Sequence, residues 1–190
     1  MNKQNILYVQ SSIFGDNGVS TGIAKKLVAT LAEKKDSTIV ERNVSAGDIP
    51  HFSMETIEAI GAGNAKLADT LIAEVQQADV IVIAAPMYNF AIPSQLKSWF
   101  DHIARAGVTF KYTEAGVQGL LANKKVYIAT ARGGLHQDKG TDLDTVYLKT
   151  MLGFLGITDV EFIYAEGVNL GEEVRVKSIA AAEQQVQAVA

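Results

Sequence analysis

The chain contains no cysteine, which excludes disulfides, thiolate nucleophiles, zinc–thiolate sites and iron–sulfur clusters together. Its three histidines, His51, His102 and His136, show no H-E-x-x-H or comparable metal-ligand spacing, so no metal site is expected. Positive charge is in the minority: the net charge of −4 argues against nucleic acid or an anionic membrane as partner. No apolar run approaches the roughly 20 residues needed to cross a bilayer. The first five residues lead into a short apolar strand and not into a signal-peptide core, so a cytoplasmic protein is expected. The nucleotide and hydrolase signatures G-x-x-x-x-G-K-[ST], G-x-G-x-x-G and G-x-S-x-G are also missing. What is present, 190 residues with 48% hydrophobic and 20% charged content, suits one soluble domain spanning 1–190.

Five apolar runs rich in Val, Ile and Tyr, at 6–10, 38–43, 80–84, 126–131 and 160–164, read as strands buried on both faces of a parallel sheet. Helical patterns alternate with them at 20–34, 54–77, 94–105, 140–155 and 172–187. The second is expected to break near Gly61-Ala62-Gly63. Ser53 is a candidate cap for that helix, and Thr141 or Asp142 for the one at 140–155. Strict alternation with short connections implies right-handed crossovers and a doubly wound α/β sheet of flavodoxin-like order 2-1-3-4-5. One insertion, 107–121, has the glycines and β-formers of a small hairpin outside the core. The pairs Lys34-Lys35 and Lys124-Lys125 read as solvated ends, and His102 as a structural or surface residue.

In that topology the loops after the first, third and fourth strands converge beyond the carboxyl ends of the sheet, where ligands bind. The first, from Ser11 to Thr21, is hydroxyl-rich, carries Gly15 and Gly18, and opens onto a helix. A helix start with free amides accepts phosphate without a nearby cation, so a cofactor bearing one phosphate group fits best. The second, bracketed by Pro86 and Pro93, carries Met87, Tyr88, Asn89 and Phe90. A thioether and aromatic rings suit a large flat apolar ligand such as an isoalloxazine. The third is Ala131-Arg132-Gly133-Gly134, whose glycines expose amide donors that would stabilise charge on the pyrimidine edge of a reduced flavin.

The blocks Pro86-Met87-Tyr88-Asn89-Phe90, Ile92-Pro93-Ser94-Gln95-Leu96-Lys97, Trp99-Phe100-Asp101, Gly107-Val108-Thr109-Phe110-Lys111-Tyr112-Thr113, Arg132-Gly133-Gly134 and Phe154-Leu155-Gly156-Ile157 resemble the FMN-dependent azoreductase and quinone reductase family over essentially the whole chain. That resemblance implies a flavodoxin-like homodimer with one FMN per subunit in a cleft at the dimer interface. It implies NADH or NADPH as donor, and quinones or aromatic azo compounds as acceptors in a ping-pong cycle. Carried over to this chain, Ser12, Gly18, Val19 and Ser20 would hold the phosphate. Met87, Tyr88, Asn89 and Phe90 would line the ring, and Ala131, Arg132, Gly133 and Gly134 would meet its polar edge. Tyr112 would be an aromatic wall for the substrate. The family often has serine where Gly18 and Ala131 stand here. No side chain is expected to serve as an obligate acid or base, because the flavin carries the chemistry. A flavodoxin-like electron carrier is the rival reading, against which the mild net charge and the extra hairpin weigh.

Overall fold

The computed structural model describes residues 3–189. Its main sheet is formed by β1 (Gln4–Gln10), β2 (Ser37–Asn43), β3 (Val80–Ala84), β6 (Lys125–Arg132) and β7 (Asp159–Glu166), all parallel, in the order β2-β1-β3-β6-β7. This is the flavodoxin-like 2-1-3-4-5 order once the hairpin strands β4 (Phe110–Thr113) and β5 (Gly116–Gly119) are set aside. The helices are α1 (Val19–Lys34), α2 (Met54–Gly61), α3 (Lys66–Gln77), α4 (Ser94–Ile103), α5 (Leu143–Phe154) and α6 (Glu172–Val189). The expected break of the long second helix falls between α2 and α3, where Gly63 adopts φ +69°.

Because side chains alternate along a strand, each central strand feeds two cores. Leu7, Val9, Ile81, Ile83, Val126 and Ile128 point to one face and pack with Leu71, Leu96 and Leu148 of α3, α4 and α5. Ile6, Tyr8, Val80, Val82, Tyr127 and Ala129 point to the other, against Ile23 and Leu27 of α1 and Ala182 and Val186 of α6. The expectation that every strand is buried on both faces fails at β2. Ile39 is 46% and Val40 40% exposed, since an edge strand has a neighbour on one side only. The Lys124-Lys125 pair is not merely solvated either. The Lys124 ammonium donates to the Gln76 and Ala78 carbonyls at 2.9 and 2.7 Å, capping the C-terminal end of α3, while Lys125 pairs with Asp159 and Glu161.

The hairpin is docked through its base. The Thr109 hydroxyl donates to the Ile103 carbonyl and accepts from the Arg105 amide, and the Leu121 amide donates to Leu155. Gly119 lies so close to Gly156 that a Cβ at position 119 would fall 2.0 Å from the Gly156 nitrogen. Gly156 itself has φ +95°, a conformation that favours glycine.

Candidate functional site

In register, Gln10 of β1 lies beside Ala84 of β3, and Ala84 beside Ala129 of β6, so the three following loops leave the sheet at one edge. Backbone bonds continue the sheet beyond its strands, with Ala85 donating to Ala129 and Met87 to Ala131 at 2.9 and 3.0 Å. Between these loops lies a cleft of about 470 Å³, within the range of small-molecule sites. Ser12, Gly18, Val19, Ser20, Met87, Tyr88, Ala131 and Gly133 line it.

One end of the cleft is built from the start of α1. A short 3-10 turn, Gly15–Asn17, precedes it, and the amides of the first helical turn lack intrahelical partners. Gly18 stands at the N-cap. A Cβ there would fall 2.4 Å from the Ser12 hydroxyl, so glycine is what lets the loop fold over that side chain. The fully buried Ser20 hydroxyl has no hydrogen-bond partner, which is costly unless an acceptor or donor enters the cleft. The only acidic side chain on this loop, Asp16, is paired with Lys25 at 2.7 Å. This end therefore favours an anion with several acceptor oxygens.

The next wall is the loop after β3. The Tyr88 hydroxyl lies 3.3 Å from the Ser12 hydroxyl and accepts from the Ile13 amide at 3.2 Å, tying this loop to the first. Tyr88 and Ala91 exchange both backbone hydrogen bonds, at 2.8 and 3.1 Å, around Asn89 (φ +51°) and Phe90 (φ +66°). Two successive left-handed residues are the mark of a type I′ turn. Asn is tolerated there, whereas Phe incurs a steric cost of about 1–2 kcal/mol. Strain of this sort persists where the surroundings over-determine it, often at functional sites.

The loop after β6 is fixed by other means. The Arg132 side chain is completely buried and turned away from the cleft. It donates to Asp142, Asp144, Glu166 and Thr145 at 2.7, 3.0, 3.1 and 2.6 Å, and lies 4.9 Å from the Tyr164 ring centre. Burial pushes the Asp144 carboxyl above its usual range despite Arg132. At Asp142 burial acts the same way, but Thr145 and Arg132 outweigh it and hold the carboxyl below. Glu166 also accepts from the His136 and Gln137 amides, both at 2.8 Å. Asp142 stands at the N-cap of α5 as expected, yet its carboxylate serves this cluster and not the helix start. The Arg132 side chain thus anchors this loop from the face that carries α5 and does not line the cleft.

Four other expected positions stand apart from the cleft. Asn89 borders a neighbouring depression with Met87, Tyr88, Ile92 and Pro93. Phe90 packs edge-on against His136 at 5.7 Å, and a Cβ on Gly134 would meet the same imidazole. Tyr112 is 74% exposed on the hairpin and lines no part of the cleft within this chain. His102 is buried, its Nδ1 donating to the Ser98 carbonyl at 2.8 Å, a structural role. The sequence reading missed Val168, Asn169 and Arg175, contributed by the loop after β7 and the first turn of α6. Backbone bonds from Gly167, Val168 and Asn169 to Gly134, Arg132 and Gly133 pull that loop in. The signal available was the Gly167 and Gly171 pair flanking it, which permits a tight return beside Gly133-Gly134.

A family model described as a flavodoxin-like fold matches residues 4–190. The chain is 55% identical over 176 residues to a protein of Saccharophagus degradans named FMN-dependent NADH:quinone oxidoreductase, covering 88% of this chain and 84% of that one. It is 45% identical to a protein of the same name from Alcanivorax borkumensis, covering 97% and 98%. Among solved structures, the FMN complex of an FMN-dependent NADH-azoreductase from Bacillus anthracis str. Ames Ancestor aligns with TM-score 0.85 at 26% identity, over 98% of this chain and 99% of that one. Fold, cleft and relatives agree that the chain belongs to the flavodoxin-like family that includes the FMN-dependent NADH:quinone oxidoreductases and azoreductases.

Proposed function

We propose that this protein is an FMN-dependent oxidoreductase that takes two electrons from NADH or NADPH and passes them to quinones and aromatic azo compounds in a ping-pong cycle. The observation that carries this reading is the buried, unpartnered Ser20 hydroxyl at the start of α1, in a cleft whose other wall is Met87 and Tyr88. A phosphate monoester would satisfy the first and a flat ring would cover the second. The relatives' names support the FMN, the NADH donor and the quinone and azo acceptors of this assignment.

FMN, when bound, supplies the two-electron chemistry. The chain's own residues bind and shape. Ser12, Ser20 and the amides from Gly18 onward would hold the phosphate, with Gly18 leaving room for the Ser12 hydroxyl. Met87 and Tyr88 would lie along the ring, with Asn89 and Phe90 held beyond them by the left-handed turn. The amides of Gly133 and Gly134 would meet its polar edge, held in position by the Arg132 cluster behind them.

Tyr112, exposed on this chain, would serve as a substrate wall only in a homodimer, where the hairpin of one subunit reaches its partner. Exposed apolar residues in and beside the hairpin, Val108, Val117 and Leu120, support that arrangement. The test is direct. Purified protein should be yellow with one FMN per chain, sediment as a dimer, and oxidise NADH with a simple quinone. A colourless protein that takes up no FMN, or a yellow one inert towards NADH, would overturn the reading. Tyr112→Ala should raise KM for bulky azo dyes more than for small quinones, and Tyr112→Phe should not.

A further inference from the structure

Four arginines occur in the chain. Arg42 meets Glu74, Arg105 meets Asp69, and Arg132 meets three carboxylates. Arg175 alone meets no carboxylate among the described residues. Its guanidinium makes one long hydrogen bond, 3.4 Å, to the Val168 carbonyl, which leaves most of its five N–H donors free. It is part-buried and lines the same cleft as Ser12, Gly18 and Ser20.

The fold indicates which end of the cleft this charge serves. Both α1 and α6 follow parallel strands and pack on one face of the sheet, so both begin at its carboxyl edge. Their mutual packing is held by Ala24, Leu27, Ala182 and Val186, and by an ion pair between Lys26 and Glu183. Arg175 therefore projects from the helix layer onto which the start of α1 opens. The loop carrying Met87 leads instead to α4, on the opposite face. Charge points the same way: an oxidised isoalloxazine is neutral, whereas a phosphate monoester carries about −1.5 to −2 at neutral pH. An uncompensated guanidinium in a cleft is matched by such an anion, through short charge-assisted hydrogen bonds.

We infer that Arg175 is the cationic partner of the cofactor's phosphate, reaching it from α6 while the start of α1 and Ser20 supply neutral donors. The inference rests on the FMN reading above and adds a residue to it. It corrects the expectation, drawn from the first loop alone, that the phosphate is bound without a cation.

Two ligands that differ only in the phosphate give the test. Dissociation constants are read from flavin fluorescence, with FMN by dilution of the holoprotein and with riboflavin by titration of the full chain. Arg175→Ala should weaken FMN roughly 10- to 100-fold, the loss of a hydrogen bond to a charged group, and should leave riboflavin unchanged. Arg175→Lys should recover part of the FMN affinity, and raising ionic strength should narrow the gap between wild type and Arg175→Ala. Equal weakening of both flavins would overturn the inference, because Arg175 would then act on the ring or on folding. Unchanged FMN binding with a raised KM for NADH would overturn it too, by assigning the charge to the donor. A wild-type chain that binds neither flavin would overturn the FMN reading itself.

Discussion

The loops after β3 and β6 flank the same cleft but are held in opposite ways. The first is held locally: two backbone bonds between Tyr88 and Ala91 close a turn whose central residues carry left-handed strain. The second is held at long range, by a fully buried guanidinium that gathers Asp142 and Asp144 from the start of α5 and Glu166 from the end of β7. A local turn costs little to form but fixes few neighbours. A buried ion cluster fixes many neighbours but depends on its central cation. The tip of the loop presenting side chains is thus shaped by its own backbone, with Tyr88 and Met87 tying it to its neighbours, and the loop presenting amides is braced by side chains behind it.

The largest expected effect comes from removing the hub. Arg132→Met leaves three carboxylates without their cation and should lower stability by about 3–5 kcal/mol in urea unfolding at pH 7. Amide exchange at His136 and Gln137 should accelerate as well, since Glu166 loses its anchor. If the variant is as stable as wild type, the loop is held by its own turns and the contrast disappears.

The two aspartates sharpen the same point through pH. Asp142 is held below its usual carboxylate range. Its stabilisation is therefore complete above the unfolded pKa and is lost as pH falls through the folded value. Asp142→Asn should cost about 1–3 kcal/mol at pH 7, with the difference from wild type closing below about pH 4. Asp144 is raised, so its ionised form burdens the fold at neutral pH and protonation relieves it. Asp144→Asn keeps an oxygen for Arg132 and should be neutral or stabilising at pH 7, the reverse of its neighbour. Matching pH profiles for the two variants would show that burial does not separate them.

The smallest effect isolates the turn. Phe90→Ala and Phe90→Gly both remove the ring and its contact with His136, but only glycine relieves φ +66°. The glycine variant should be the more stable of the two by about 1 kcal/mol, read from denaturant midpoints. Equal stability would mean that position 90 stores no strain.

Most of the fold was legible because apolar runs and 3.6-residue periodicity are local signals, and strict alternation leaves few topologies. The exposure of β2 was not legible, because Ile39 and Val40 are as apolar as buried strand residues. Only the strand order makes them an edge. At the site, Ser12, Gly18, Ser20, Met87 and Gly133 were readable from loop chemistry at strand ends. The anchoring role of the Arg132 side chain was not legible, because its three carboxylate partners lie 10, 12 and 34 residues away in sequence. Asn169 and Arg175 were missed because they follow the edge strand β7, and the paired glycines Gly167 and Gly171 were the only local sign of a tight return there. Asn169 is drawn in by the backbone bonds from Gly167, Val168 and Asn169 to Gly134, Arg132 and Gly133, and Arg175 enters from the first turn of α6.

The Gly119–Gly156 contact has a bearing on how related chains can diverge. The base of the hairpin tolerates no added atom, since any side chain at 119 would collide with backbone. Beyond that rivet, Lys111, Tyr112, Val117 and Gln118 are exposed and touch none of the sheet's core. Changes at the tip can therefore accumulate without a folding cost, while the base stays fixed in length and composition. On the reading proposed above, acceptor range and folding are set by separate residues a few positions apart, and selection can alter one without disturbing the other.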